Sequence, residues 1–327
     1  MNAGNHSYAI GVDIGGTNMS AAVINRANSN IHYKETIETL AAQGSEDGMK
    51  RLGDLIARVI QGAAISLEAI AGIGIGCTGP VDTERGLVQN PYTLPTWDDL
   101  PIVEILTNLF RKPTLLLNDA HAAALGEYHV GAGRGTRNMI YITVSTGIGG
   151  GLILNGQLYR GKGLTAGEVG HQSLAYDGRP CYCGARGCWE MYASGPAIAQ
   201  TAQERITPDS LIWSLVDGKP ETISARIVGE AAASGDALAL DILHEAGMYL
   251  GVGIANLINI LAPERIVIGG GVMQSHAFIF PAIYEALGKQ KFLVAADDIR
   301  IIRAELGLNA GVVGAAHGLF RYLENTL

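Results

Sequence analysis

Three of the four cysteines are spaced Cys181-x-Cys183-x4-Cys188, and His171 lies ten residues before the first of them. One imidazole and three thiolates are the ligand set of a tetrahedral structural zinc, with no coordination position left for water. Buried thiols without a metal are the competing reading. A disulfide is disfavoured by the poor geometry of a Cys-x-Cys pair and by the reducing interior expected for this chain. Glu168 and Glu190 flank the cluster, and neither is needed by a four-ligand zinc. Their plain reading is solvated surface charge. Their functional reading is a pair of acceptors for the hydroxyl groups of a polyol, close to a histidine whose second ring nitrogen would be free to donate. The remaining cysteine, Cys77, follows an apolar strand and reads as a small buried hydrophobe.

Three glycine runs could serve an anion or a flat ring. "DIGGTN" (13–18) leaves an apolar strand into a turn whose backbone N–H groups could cradle phosphate, although an ordinary hairpin fits it equally well. It lacks the Gly-Lys-Ser/Thr ending of a Walker loop and the Gly-x-Gly-x-x-Gly of a dinucleotide fingerprint. "STGIGGG" (145–151) adds a second donor-rich turn with the hydroxyls of Ser145 and Thr146. Gly269, Gly270 and Gly271 end a buried strand where a base or ribose could lie. Asp119, at a predicted helix start, is either a cap for that helix or a general base that takes a proton from an attacking hydroxyl.

These residues need elements to hold them. The chain has 327 residues, 48% apolar and only 17% charged, with 44 glycines, which suits an α/β protein of two domains with buried strands. Residues 7–25 and 138–159 both read as strand, glycine turn, strand, and this repeat suggests two related α/β halves facing across a cleft. Between and after them, helical spacing marks 46–65, 120–131, 224–263 with a break near Ser234-Gly235-Asp236 and a stop at Pro263, and 309–327, and apolar strands fall at 69–76, 113–118 and 265–272. Residues 248–262 are too short and too interrupted by Asn256 and Asn259 for a membrane span and read as a core helix. A net charge of −8 argues against nucleic acid or an anionic membrane as the main partner. Residues 1–11 lack a basic region leading into an apolar stretch, so a cytoplasmic location is expected.

From "DIGGTN" to "GVVGAA", and above all in "GEVGH" (167–171) followed by "CYCGARGCWE" (181–190), the sequence resembles the ROK family of repressors and sugar kinases. The resemblance implies an α/β, two-lobed actin-like ATPase (ribonuclease H-like) fold with a central cleft and a zinc-binding loop. It implies a small lobe of residues 1–118 and 309–327 and a large lobe of 119–308. It implies an ATP-dependent hexose kinase with Mg2+ and structural Zn2+, Asp119 as catalytic base, and a homodimer. Asp13 is then expected near magnesium, and Gly15, Gly16, Thr17, Asn18, Ser145, Thr146 and Gly147 near the phosphates. Gly269 to Gly271 are expected at the adenosine. Gly79, Asn118, Gly147, Glu168, His171 and Glu190 are expected on the sugar, and His171, Cys181, Cys183 and Cys188 on zinc. Three positions depart from the common pattern: Asn18 stands where lysine is frequent, His121 where asparagine is frequent, and "TLPTW" replaces "LPGW".

The stretch 126–153 looks more like the glucokinase branch than the fructokinase branch, so glucose phosphorylated at its 6-hydroxyl is the expected reaction. N-acetylmannosamine, fructose and other hexoses are the alternatives. A sugar-sensing regulator is the reading from another class. Asp13 lies close to the first residue and leaves no room before it for a helix-turn-helix, which together with the acidic charge disfavours that reading.

Overall fold

The computed structural model describes residues 6–89, 91, 93–294 and 298–324. Asn90 and Tyr92, within the expected loop after Cys77, and the last three residues of the expected closing helix lie outside the described residues. The strands are β1 (Tyr8–Ile14), β2 (Asn18–Asn25), β3 (Ile31–Glu38), β4 (Ile70–Cys77), β5 (Val81–Asp82), β6 (Leu87–Val88), β7 (Thr114–Asn118), β8 (Met139–Val144), β9 (Ile148–Leu154), β10 (Gln157–Tyr159), β11 (Arg265–Gly269) and β12 (Arg300–Arg303). The helices are α1 (Ser45–Gly62), α2 (Ile102–Phe110), α3 (Asp119–His129), α4 (Glu190–Ala193), α5 (Gly195–Arg205), α6 (Leu211–Leu215), α7 (Ala225–Ala233), α8 (Ala237–Leu261), α9 (His276–Gly288) and α10 (Ala310–Leu323).

Two five-stranded sheets have the same internal order, β3-β2-β1-β4-β7 and β10-β9-β8-β11-β12. In the first, β1, β2 and β3 pair antiparallel, and β4 and β7 add in parallel to β1. In the second, β9 and β10 pair antiparallel, and β11 and β12 pair in parallel. The repeated strand-turn-strand of the sequence thus marks equivalent places in two sheets of one design. The chain divides into two compact units, Met1–Tyr141 with Gly151–Gly167 and Ala304–Leu327, and Ile142–Gly150 with Glu168–Arg303. Helix α3, which begins at Asp119, belongs to the first unit.

In the first unit, β1 alternates its side chains between two layers. Ile10, Val12 and Ile14 join Leu52, Leu55, Ile56 and Val59 of α1 and Trp97 in one buried core. The opposite face carries Gly11 and Asp13 toward α10. That helix lies on the sheet with no side chain between: a Cβ on Gly11 would fall 1.8 Å from the Val312 carbonyl oxygen, and one on Gly74 of β4 would fall 1.9 Å from that of Ala315. Only glycine permits so close an approach.

At the far end of α3, His129 stacks on His317 of α10 with ring centroids 5.1 Å apart, and His317 Nε2 bonds Ser29 Oγ at 2.9 Å. Burial, then the neighbouring His317 and Arg321, lowers His129 to about 4; burial and Arg321 lower His317 to about 4. An unfolded chain binds protons on both rings near pH 6.5, so it takes up more protons than the native state between about 6.5 and 4. Stability carried by these rings is therefore complete above about pH 6.5 and falls as the pH drops toward 4. A His129→Phe variant, which keeps an aromatic ring in the stack, is expected to lose less stability over that interval than wild type. Urea midpoints at several pH values check this.

The second unit is centred on α8, a 25-residue helix long and apolar enough by length and composition to cross a membrane, with half of its apolar stretch buried inside the protein. It packs on α9, where a Cβ on Gly247 or Gly251 would meet Ala282 and Ala286 at 2.7 and 2.5 Å. This is the core helix expected from the sequence, begun by the side chain of Asp236, which accepts from Ala239 N at 2.7 Å.

Candidate active site

The two aspartates singled out in the sequence lie at the same end of the first sheet. Ile14 of β1, Cys77 of β4 and Asn118 of β7 stand in one register row at the carboxyl ends of parallel strands, with Asp13 one residue before this row and Asp119 one residue after it. The carboxyl end of a parallel sheet is where α/β proteins bind ligands. Cys77 lies buried with Ile14 in the core beneath α1, and its thiol pKa is raised by burial first and then by Asp119 and Asp13. Asp13 itself is pushed up to about 6 by burial, opposed by the charge of Lys34. A Cβ on Gly311, in the first turn of α10, would fall 2.4 Å from Asp13 Oδ2.

Asn118 is the cap of α3. Its Oδ1 accepts from Ala120 N at 2.9 Å and His121 N at 3.4 Å, so Asp119 is the first helical residue; Asp119 Oδ1 shares the Ala120 N donor at 2.8 Å. Asn118 Nδ2 lies 3.1 Å from where a Cβ on Gly79 would sit, which brings those two expected sugar contacts together. His121 points away from them: Nε2 bonds the Ala166 carbonyl oxygen at 2.6 Å, tying α3 to the segment before Glu168.

The first glycine turn is closed by Gly15 N donating to Asn18 O at 2.9 Å, and Thr39 Oγ1 donates to Gly15 O at 2.6 Å. Thr17 and Asn18 remain exposed at its tip. The second turn belongs to the other unit. Ser145 N donates to Gly147 O at 2.8 Å, Gly195 N of α5 donates to Ser145 O at 2.7 Å, and Ser145 and Thr146 are exposed. Gly270 packs onto the same turn, since a Cβ there would fall 2.3 Å from the Val144 carbonyl oxygen. The glycine run after β11 and the turn after β8 therefore form one backbone-lined surface.

The cysteine cluster is assembled as its spacing predicts. The ligand atoms of His171, Cys181, Cys183 and Cys188 lie within 4.8 Å of one another. Cys181 Sγ is 3.7 Å from His171 Nδ1, and Cys183 Sγ is 3.6 Å from Cys188 Sγ. A tetrahedron with zinc–sulfur bonds of about 2.3 Å has edges of roughly 3.7 Å, so the donor set fits zinc, whereas a disulfide needs about 2.05 Å. Burial, then hydrogen bonds with Cys183 and Cys181, pushes the Cys188 thiol up to about 12; a divalent cation overturns that preference by binding thiolate.

The loop depends on Gly187, whose φ is +74° and whose Cβ would fall 1.7 Å from the Ala175 carbonyl oxygen. Arg179 anchors it to α4: its guanidinium lies 5.3 Å from the Tyr192 ring, and Nη1 donates to Met191 O at 3.0 Å. Trp189 is fully buried against Gly253 of α8.

Glu190 follows directly, 6% exposed, and Oε2 accepts from Ile148 N at 2.8 Å. A Cβ on Gly147 would fall 2.3 Å from that same oxygen. The second glycine turn and the zinc loop thus meet at one carboxylate, a link that nothing in the local sequence marks. Glu168 keeps contact with solvent, yet its pKa is raised by the surrounding protein and by Glu190, against the opposing effect of His171. Sequence reasoning passed over Tyr182, whose hydroxyl lies 3.4 Å from His171 Nε2, the nitrogen expected to face a substrate. A Gly147→Ala substitution would force the Glu190 carboxylate aside. It is expected to cost about 1–3 kcal/mol of stability, as overpacking does, and to raise the KM of any substrate held by Glu190 while leaving bound zinc unchanged. Thermal melts, steady-state kinetics and metal analysis check the three effects.

The sequence profile described as the ROK family matches residues 9–320. A glucokinase of Streptomyces coelicolor is 36% identical over 316 residues, covering 94% of this chain and 96% of its own. A ROK hexokinase from Thermus thermophilus superposes with a TM-score of 0.81 at 32% identity, covering 97% of this chain and 99% of that one. A ROK family glucokinase from Streptomyces griseus, solved in complex with glucose and AMPPNP, gives 0.82 at 33% identity over 94% and 98%.

Proposed function

The chain belongs to the ROK family, and on that premise we propose that it is an ATP-dependent hexose kinase, a glucokinase that transfers the γ-phosphoryl group of MgATP to the 6-hydroxyl of glucose. The observation that carries this reading is the division of labour at the start of α3. Asn118 caps the helix, and Asp119, whose Oδ1 also accepts from Ala120 N, stands just past the carboxyl end of β7, with β4 between it and Asp13 of β1. The relatives named as glucokinase and hexokinase support the choice of substrate.

In this reading Asp119 accepts the proton of the 6-hydroxyl as the oxygen attacks the γ-phosphorus; the new O–P bond forms as the bond to ADP breaks, and the proton leaves with Asp119. Phosphoryl transfer asks the protein chiefly for positioning and for stabilisation of charge on the phosphoryl oxygens. The turns at Gly15–Asn18 and Ser145–Gly147 would supply that stabilisation through backbone N–H groups and hydroxyls, and Gly269 to Gly271 would face the adenosine. Asp13, a hard oxygen donor, would hold magnesium, whose charge offsets that of the phosphates. Gly79, Asn118, Gly147, Glu168, His171 and Glu190 would fix the sugar. Zinc on His171, Cys181, Cys183 and Cys188 would supply rigidity, holding His171 and the start of α4 in place.

The acidic charge and the family resemblance support small-molecule partners, a cytoplasmic location and a homodimer. A coupled ADP-release assay over glucose, mannose, fructose, allose and N-acetylated hexosamines tests the reaction. Glucose is expected to give the highest kcat/KM. Preference for N-acetylmannosamine would move the assignment within the family, and no turnover with any sugar would remove it.

A further inference from the structure

Tyr182 stands between two members of the zinc set, on a loop tip where Cys183, Gly184 and Ala185 are also exposed. The residue is 72% exposed, yet its hydroxyl is directed back at the cluster. The ring meets His171 edge to face, with centroids 5.4 Å apart and planes at 82°. The hydroxyl lies 3.4 Å from His171 Nε2, and the Glu190 carboxylate stands near enough to act on it by charge and as an acceptor. With Nδ1 turned toward Cys181, Nε2 is the ring nitrogen that carries hydrogen when Nδ1 binds a metal. The phenol oxygen is then placed to accept from His171 and to donate to Glu190.

That is the bonding pattern of a sugar hydroxyl between the same two groups. We propose that the Tyr182 hydroxyl is a resident stand-in for a substrate hydroxyl, bridging His171 and Glu190 in the sugar-free protein and swinging out when the sugar binds. The proposal rests on the hexose-kinase reading. Two physical features favour it. Glu190 is buried with only one oxygen on a backbone N–H, so a second partner in the sugar-free state relieves a carboxylate that is costly to leave unpaired. Most of the residue already faces solvent, so rotation of the ring away from His171 uncovers little buried surface. The arrangement also selects: only a sugar with a hydroxyl at this point replaces both lost bonds, and the corresponding deoxy sugar leaves His171 and Glu190 without partners.

Tyr182→Phe keeps the ring and removes the hydroxyl. Freed of the competing bonds, glucose is expected to bind about three- to tenfold more tightly, the range of one modest hydrogen bond. This should appear in calorimetric Kd without nucleotide and in KM for glucose, with kcat changed less than about twofold, and with KM for ATP, zinc content and melting temperature unaltered. Tyr182→Ala separates the hydroxyl from the ring and is expected to tighten binding at least as much. An unchanged or weakened glucose affinity in Tyr182→Phe, or weakening in Tyr182→Ala alone, would overturn the stand-in while wild-type turnover upheld the kinase reading. A wild-type protein that neither binds nor phosphorylates any hexose would overturn both.

Discussion

Asp119→Asn is expected to lower kcat by about 10²- to 10⁴-fold, the usual contribution of a general base, while glucose binding measured by calorimetry stays within about threefold of wild type. The amide is nearly the same size as the carboxylate but has no basic oxygen to take the proton of the attacking hydroxyl. Ordinarily such a substitution at a helix start would confound catalysis with loss of a cap. Here the cap is Asn118, which bonds Ala120 N and His121 N, so α3 should persist in the variant. Retention of more than about a tenth of kcat would place Asp119 among first-turn carboxylates that merely favour the helix.

The second large effect is expected from Cys188→Ser. Cys188 is fully buried, its sulfur is 3.6 Å from that of Cys183, and it precedes Trp189 and Glu190 without a gap. A hydroxyl is a poor zinc ligand, so metal content should fall from about one per chain to nearly none. The chain from Gly187 to Glu190 then loses its fixed point, and with it the register that brings Glu190 to Ile148 N. The glucose KM should rise by roughly tenfold or more, since a charged hydrogen bond is worth about 1.5–3 kcal/mol, and the melting temperature should drop. Cys77→Ala, which removes the one thiol outside the cluster, should leave metal content intact. Elemental analysis beside kinetics separates the two variants; full zinc retention in Cys188→Ser would remove this residue from the ligand set.

Much of this site was legible because its chemistry is local. Ligand type and spacing within residues 171–188 are enough to read a zinc loop, and Gly187 shows why so short a loop can close. The paired hairpins β1–β2 and β8–β9 were legible from apolar runs around glycine turns, and α8 from its helical spacing and the stop at Pro263. Other elements carried weak patterns. β3 is an edge strand with alternating half-burial, and β12 has four residues, so neither stands out from its surroundings. Asn118 and Asp119 are both good caps, and only the folded backbone shows that both accept from Ala120 N while Asn118 alone also reaches His121 N.

Long-range contacts left no local trace at all. Glu190 meets the turn at Gly147 across 42 residues of sequence to Ile148, and the hydroxyl of Tyr182 reaches two groups whose role depends on the loop being closed. The seat of α10 on Gly11 and Gly74 is of the same kind, since the glycines are visible in the sequence but their partner is not.

The most direct measurement is phosphorus NMR of the protein with glucose and MgATP, with glucose-free and Asp119→Asn samples alongside. The account predicts that wild type converts ATP to ADP and glucose 6-phosphate in equal amounts, with negligible ADP in the other two samples. ADP formed at the same rate without sugar, or phosphate on a different hydroxyl, or product made at the wild-type rate by Asp119→Asn, would contradict it.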